Sequence, residues 1–236
     1  MEKSYSAESL IEKFGDIVFD EAAHRYTLNG KTAPSVSSVI KQFYKPFDDS
    51  KAPSYLKKQW KEKGDKAAAA GTKVHEFAEN YIEYCGKPRN NKELGVVQFL
   101  MDINPVVLQT EQRLYHYGLD YFGTADLLLM VDGKIVLADW KTNETLHKDY
   151  GDTLYAPFKE YINNAHNRYM LQLGHYQLAL EQVVKIDERW LIHLTEDGNK
   201  YYKVYEVEDV TDTLKQYYDD RTRRNIDNPL TDQQDQ

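Results

Sequence analysis

The sequence predicts a mixed α/β fold, a central β-sheet flanked by helices, and three observations predict it. Runs rich in β-branched and aromatic residues at 106–117, 121–131 and 134–140 follow one another, with turn signals at Gly118-Leu119-Asp120 and Asp132-Gly133. That pattern is an antiparallel meander. Amphipathic helical stretches precede the meander, and one more helix separates it from two alternating runs at 189–194 and 201–207. No internal repeat or low-complexity segment interrupts the order, so helices and strands build one compact unit.

The elements follow in chain order. Residues 17–20 and 24–28 read as short strands, Asn29-Gly30 as a tight turn, and 31–33 as a third short strand. Pro34-Ser35-Val36-Ser37 starts a helix with Ser35 or Ser37 as N-cap. Residues 53–63 and 66–84 are helical by composition, with a break expected near Gly64 and a stop at Gly86. A helix is expected over 92–102, another over 168–182 and a closing one over 211–224, with Asp197-Gly198-Asn199 as the last turn. Residues 143–165 lack periodicity and read as a long functional loop. The polar tail 227–236 is expected to fray.

Composition narrows the class. A chain of 236 residues with one cysteine, Cys85, has no intrachain disulfide and no four-cysteine metal site. Cys85 reads as a reduced thiol in a cytoplasmic protein. No 18-residue apolar run and no basic-then-apolar leader is present, so neither a membrane span nor a secretory signal is expected. The net charge of −8, from 38 acidic and 30 basic residues, argues against a simple basic nucleic-acid coat. The charge is uneven, however: residues 51–100 carry ten Lys and Arg against six acids, and residues 101–150 carry four against eight. A basic block followed by an acidic one is either a pair of solvated faces or a polyanion grip beside a cation site.

Two carboxylates stand out. Asp126 interrupts the apolar run 125–130, and Asp139 ends the apolar run 135–138. Carboxylates on buried strands are costly unless a counter-charge meets them. Asp139 and Lys141 are two apart on one strand and share a face. Pairing of the hairpin strands brings Asp126 close to Asp139. Two aspartates and a lysine at one point of a sheet form either an ion-pair cluster or a site for a hard divalent cation with a lysine that orients water.

Asp126, twelve further residues, then Asp139-Trp140-Lys141 resembles the signature of the PD-(D/E)XK nucleases. Gly123-Thr124-Ala125-Asp126 and Asp139-Trp140-Lys141-Thr142 are similar to its RecB-like branch, with the flavour of the mitochondrial genome maintenance type of single-strand exonuclease. The likeness spans about residues 34–195 and includes Pro34-Ser35-Val36-Ser37, Gly71-Thr72-Lys73-Val74-His75-Glu76, Glu111, and Gln172-Leu173-Gly174-His175-Tyr176. It implies a restriction-endonuclease-like core. It also implies Mg²⁺ or Mn²⁺, one or two ions, held by His75, Glu111, Asp126, Asp139 and the Trp140 carbonyl, with no iron–sulfur cluster. Lys141 would orient the attacking water, with Gln172 steadying the lysine or phosphate and Tyr176 contacting the strand. Glu79, one turn after His75, is either a partner that fixes the imidazole or a solvated residue.

For the polyanion itself, Lys57, Lys58, Lys61 and Lys73, with Lys63 and Lys66, could track phosphates, and Tyr55 and Trp60 could stack on bases. Ser35 and Ser37 are either phosphate acceptors at a helix start or plain caps. Arg221, Arg223 and Arg224 read as a solvated helix end. The organisation expected is an N-terminal helix and hairpin (1–33), a helical DNA-gripping region with the metal histidine (34–104), a nuclease core (105–226) and the tail. The resemblance implies a metal-dependent DNA exonuclease on single strands, leaving 5′-phosphate and 3′-hydroxyl ends. A flap or junction endonuclease and a non-catalytic DNA-binding module are its rivals. The compact size suits a bacterial or phage enzyme of recombination or repair.

Overall fold

The computed structural model describes residues 6–20, 23, 25–196 and 200–227. His24, the expected turn at 197–199 and the tail from 228 on lie outside the described residues, as does the Arg224 side chain.

A helix, α1 (Ala7–Phe14), leads into a hairpin of β1 (Ile17–Asp20) and β2 (Arg25–Leu28). Asn29 and Gly30 both take positive φ, 52° and 78°, as a type I′ turn requires. The strand expected at 31–33 does not form: beyond the turn only a single bridge, Leu28 to Lys31, continues the ladder. A short helix, α2 (Val36–Val39), runs on as a 3-10 turn through Phe43. Then come α3 (Ser54–Tyr84) and α4 (Asn91–Ile103). The break expected at Gly64 is absent, and α3 is one helix of 31 residues. A lone glycine costs a helix about 1 kcal/mol, and the strong helix formers Lys, Glu and Ala around it outweigh that. The stop is Cys85, not Gly86: Cys85 takes the left-handed conformation (φ 55°) and its N–H closes on Tyr81.

The five-stranded sheet has the order β3-β4-β5-β6-β7, with β3 (Val106–His116), β4 (Tyr121–Val131), β5 (Lys134–Lys141), β6 (Glu188–Leu194) and β7 (Tyr202–Glu206). All neighbours are antiparallel except β5 and β6, which are parallel and joined through α5 (Ala165–Leu180). The closing helix α6 (Thr211–Asp227) runs past the expected end and takes in Asp227.

Alternation along the strands feeds two cores. One face packs Leu127, Leu129, Val136, Ala138, Trp140 and Ile192 against Val74 and Ala78 of α3 and Val96 and Phe99 of α4. The other packs Leu128, Leu137 and Leu191 against Leu10, Phe14, Val36, Phe43, Leu173, Tyr176 and Leu214. The end of β5 therefore lies between α3 on one side and α5 on the other. No described helix is long and apolar enough to cross a membrane.

Candidate metal and nuclease site

The β3–β4 ladder pairs Thr110 with Leu127 and Gln112 with Ala125, so Glu111 and Asp126 face each other between those pairs. Glu111 adopts φ 47°, left-handed backbone inside a strand. Such a conformation costs a residue with a Cβ about 1 kcal/mol or more and persists only where its surroundings enforce it. From α3, His75 Nδ1 reaches Asp126 Oδ2 at 3.3 Å. The ligand atoms of His75, Glu111 and Asp126 all lie within 4.8 Å of one another.

Asp126 is 9% exposed, Asp139 3% and Lys141 9%. The Trp140 N–H donates to Asp126 Oδ2 at 2.9 Å, which fixes that carboxylate against β5. Asp139 Oδ2 forms an ion pair with the Lys141 ammonium. Lys141 Nζ donates to Gln172 Oε1 at 3.3 Å, and Gln172 Nε2 donates to the Tyr176 hydroxyl at 2.8 Å. Burial and the neighbouring Asp126, Glu79 and Asp139 push Glu111 up to about 8. Burial and Asp139 push Asp126 up to about 6, against the pull of His75 and Lys141. Burial works to lower Lys141, but Asp139, Tyr169 and Asp126 outweigh it and hold the ammonium above its ordinary value. Two carboxyl groups that resist ionising side by side, with an imidazole whose ligand atom lies within 4.8 Å of theirs, fit a divalent cation as a shared partner. Carboxylate oxygens suit hard divalent ions, and an imidazole among them extends the range to transition ions.

The site opens on a cleft of about 740 Å³ lined by Phe19, Tyr26, Ala68, Gly71, Thr72, His75, Glu76, Glu79, Glu111, Arg113 and Thr124. Glu79 is exposed at its edge. Arg113 bonds the Ile17 carbonyl at 3.0 Å.

The remaining expected residues lie farther along α2 and α3. Residues 58–70 are all exposed, so the N-terminal half of α3 projects as an arm carrying Tyr55, Lys57, Lys58, Trp60 and Lys61. Trp60 meets Phe47 edge-to-face, with ring centroids 5.3 Å apart. Lys58 pairs with Glu62 and Lys63 with Glu144. Lys73 lines a second cleft, about 550 Å³, with Lys87 and Arg89 between α3 and α4. Ser35 is the N-cap of the four-residue α2 but makes no side-chain cap bond; its hydroxyl meets those of Ser37 at 2.8 Å and Ser38 at 3.3 Å.

Two residues escaped the sequence reading. The Lys141 ammonium lies over the Tyr169 ring, 3.8 Å from its centroid, and the Tyr169 hydroxyl donates to Asn143 Oδ1 at 2.9 Å. The available signal was spacing: 169, 172 and 176 stand at i, i+3 and i+7 on one helix stripe.

The mixed sheet with its helical layers is a restriction-endonuclease-like α/β fold. The chain matches the family model of the PD-(D/E)XK nuclease superfamily over residues 36–235 and belongs to that superfamily. Membership implies a metal-dependent nuclease that uses divalent ions. Among solved structures, the crystal structure of SSO0001 is similar at 20% identity, covering 54% of this chain and 54% of that chain, with a TM-score of 0.30. The chain thus spans about half the length of that protein. No curated protein matches.

Proposed function

We propose that the protein is a RecB-like DNA exonuclease that hydrolyses single strands from a free end, in recombination, repair or replication. The observation that supports it best is the gathering of His75, Glu111 and Asp126 ligand atoms within 4.8 Å, beside a buried Lys141 held by Asp139. His75, Glu111, Asp126, Asp139 and the Trp140 carbonyl are the groups to hold Mg²⁺ or Mn²⁺. A divalent ion so held supplies Lewis acidity and charge neutralisation at the scissile phosphate.

The chain's own residues do the rest. The Lys141 ammonium donates a hydrogen bond to the attacking water and orients it toward phosphorus. Gln172 holds that ammonium, and Tyr176 holds Gln172. The products carry a 5′-phosphate and a 3′-hydroxyl. The helical region 34–104 grips the strand, with the α3 lysines on phosphates, Tyr55 and Trp60 on bases, and Ser35 and Ser37 as phosphate acceptors at the start of α2.

The test is digestion of 5′- and 3′-labelled linear single strands, and of a circular single strand, with Mg²⁺, Mn²⁺ or EDTA. Linear strands should be degraded with either ion and remain intact in EDTA. Lys141→Ala should lose about 100-fold or more in rate. Cutting of the circle would replace the exonuclease reading with an endonuclease one. A Lys141→Ala protein as fast as the wild type would overturn the mechanism. Binding without hydrolysis under every condition would favour a non-catalytic module.

A further inference from the structure

The Lys141 ammonium is met from three sides. Asp139 pairs with it, Gln172 Oε1 accepts from it at 3.3 Å, and the Tyr169 ring faces it at 3.8 Å. The ring is itself anchored at both ends. Its backbone is part of α5, and its hydroxyl donates to Asn143 Oδ1 at 2.9 Å in the loop that leaves β5. That loop is fixed in turn, because His193 Nε2 lies 2.7 Å from the Asn143 carbonyl oxygen, and His193 is the β6 register partner of Lys141. The Lys141 side chain is only 11% exposed, so little water screens its attraction to the ring face.

We propose that Tyr169 is a positioning residue for Lys141. The inference rests on the role given to Lys141 above. A lysine stem is flexible and its ammonium is a point charge with three rotatable donors. Asp139 and Gln172 draw it inward, and the ring flanks it on a third side. An aromatic face attracts a cation without offering a strong acceptor atom. It therefore restrains the ammonium and leaves an N–H free to hold a water, whereas a carboxylate or carbonyl at that place would compete for the donor. Tyr169, Gln172 and Tyr176 then act as one stripe: ring, amide and hydroxyl, each limiting the freedom of the next group.

The test uses the full chain with Tyr169 replaced by Leu, by Phe, and by mono- and trifluorinated phenylalanine, which keep the ring's shape while draining its negative face. On single-stranded DNA with Mg²⁺, Tyr169→Leu and the trifluorinated ring should lose about tenfold in kcat with little change in KM. Tyr169→Phe should rescue most of that loss, and the monofluorinated ring should fall between. In EDTA the Phe series should share one melting temperature. The Lys141 ε-methylene protons should show an upfield ring-current shift that disappears in Tyr169→Leu. A flat kcat across the fluorinated series in an active protein overturns this inference alone, as does a loss confined to KM or one that tracks melting temperature. A wild type without metal-dependent hydrolysis overturns the Lys141 reading and this inference with it.

Discussion

Glu111 lies opposite Asp126 between two paired positions of the β3–β4 ladder, its ligand atom within 4.8 Å of that of Asp126 and its own backbone left-handed. Without a cation the two carboxyl groups crowd each other. Glu111, ordinarily near 4.5, is pushed up to about 8 by burial first and then by Asp126, Glu79 and Asp139. A raised carboxyl value means that the folded state keeps a proton the unfolded chain releases. Its contribution to stability is therefore fully present below 4.5 and is lost as pH rises through about 8. In EDTA, the melting temperature should decline from pH 6.5 to 8. Glu111→Gln should flatten the decline, and Mg²⁺ should raise the melting temperature more at pH 8 than at pH 6.5. A metal-free protein that grew more stable over that window would contradict this account of the site.

The acid side of the profile should have a different origin. His175 is buried on α5, its Nδ1 2.7 Å from the Leu171 carbonyl and its Nε2 2.8 Å from the Tyr218 hydroxyl. Burial pushes it down to about 4. The unfolded chain binds the proton first, so this contribution is complete above pH 6.5 and is lost as pH falls through about 4. The loss is on the order of 3 kcal/mol. His116, also lowered by burial, adds in the same sense. Denaturant titrations from pH 7 to 4 should show this fall, and His175→Gln should show a smaller one. An equal fall in wild type and variant would assign it elsewhere.

Gly123 and Gly64 should respond to alanine in opposite ways. A Cβ on Gly123 would lie 2.5 Å from Tyr176 Cε1, and Tyr176 supports Gln172, which supports Lys141. Gly123→Ala should cost about 1–3 kcal/mol by overpacking and lower kcat about tenfold by displacing that relay. On Gly64 a Cβ meets nothing within 4 Å. Gly64→Ala should raise stability by about 0.5–1 kcal/mol. Thermal melts and steady-state rates on both variants check the pair. A fully active Gly123→Ala would show that the Tyr176 ring can move without disturbing Lys141.

What was legible in the sequence was what strand periodicity and chain order carry. Asp126 and Asp139 stood out because each breaks an apolar run, and the hairpin turn at Asp132-Gly133 fixed their proximity. The five sheet strands and the helix between β5 and β6 were legible for the same reason. What escaped depends on how separate elements meet. Tyr169 matters because α5 lays its ring against the end of β5, and nothing local to residue 169 encodes that crossing. The left-handed backbone of Glu111 has no local signal, since glutamate has no preference for it. Gly64 misled because a local breaker was weighed without the helix formers on either side. The likeness to RecB-like nucleases gathered His75, Glu111 and Gln172 in advance, whereas spacing alone would have left each as an ordinary helix or strand residue.

The projecting half of α3 should account for the salt dependence of binding. Lys61 and Lys66 form no ion pair among the described residues, whereas Lys58 lies 3.9 Å from Glu62. Released counterions are counted by the slope of log affinity against log salt, about 0.7 per phosphate contact on single strands. Lys61→Ala with Lys66→Ala should reduce the slope by about 1.4, and Lys58→Ala should reduce it less. Trp60 is 42% exposed while Trp140 is buried at 2%, so stacking on bases should quench the fluorescence of Trp60. The quench should vanish in Trp60→Phe, and Phe47→Ala should weaken it by loosening the ring pair. Full affinity, an unchanged slope and no quench would place the strand on another face of the protein, with the second cleft of Lys73, Lys87 and Arg89 the next surface to test.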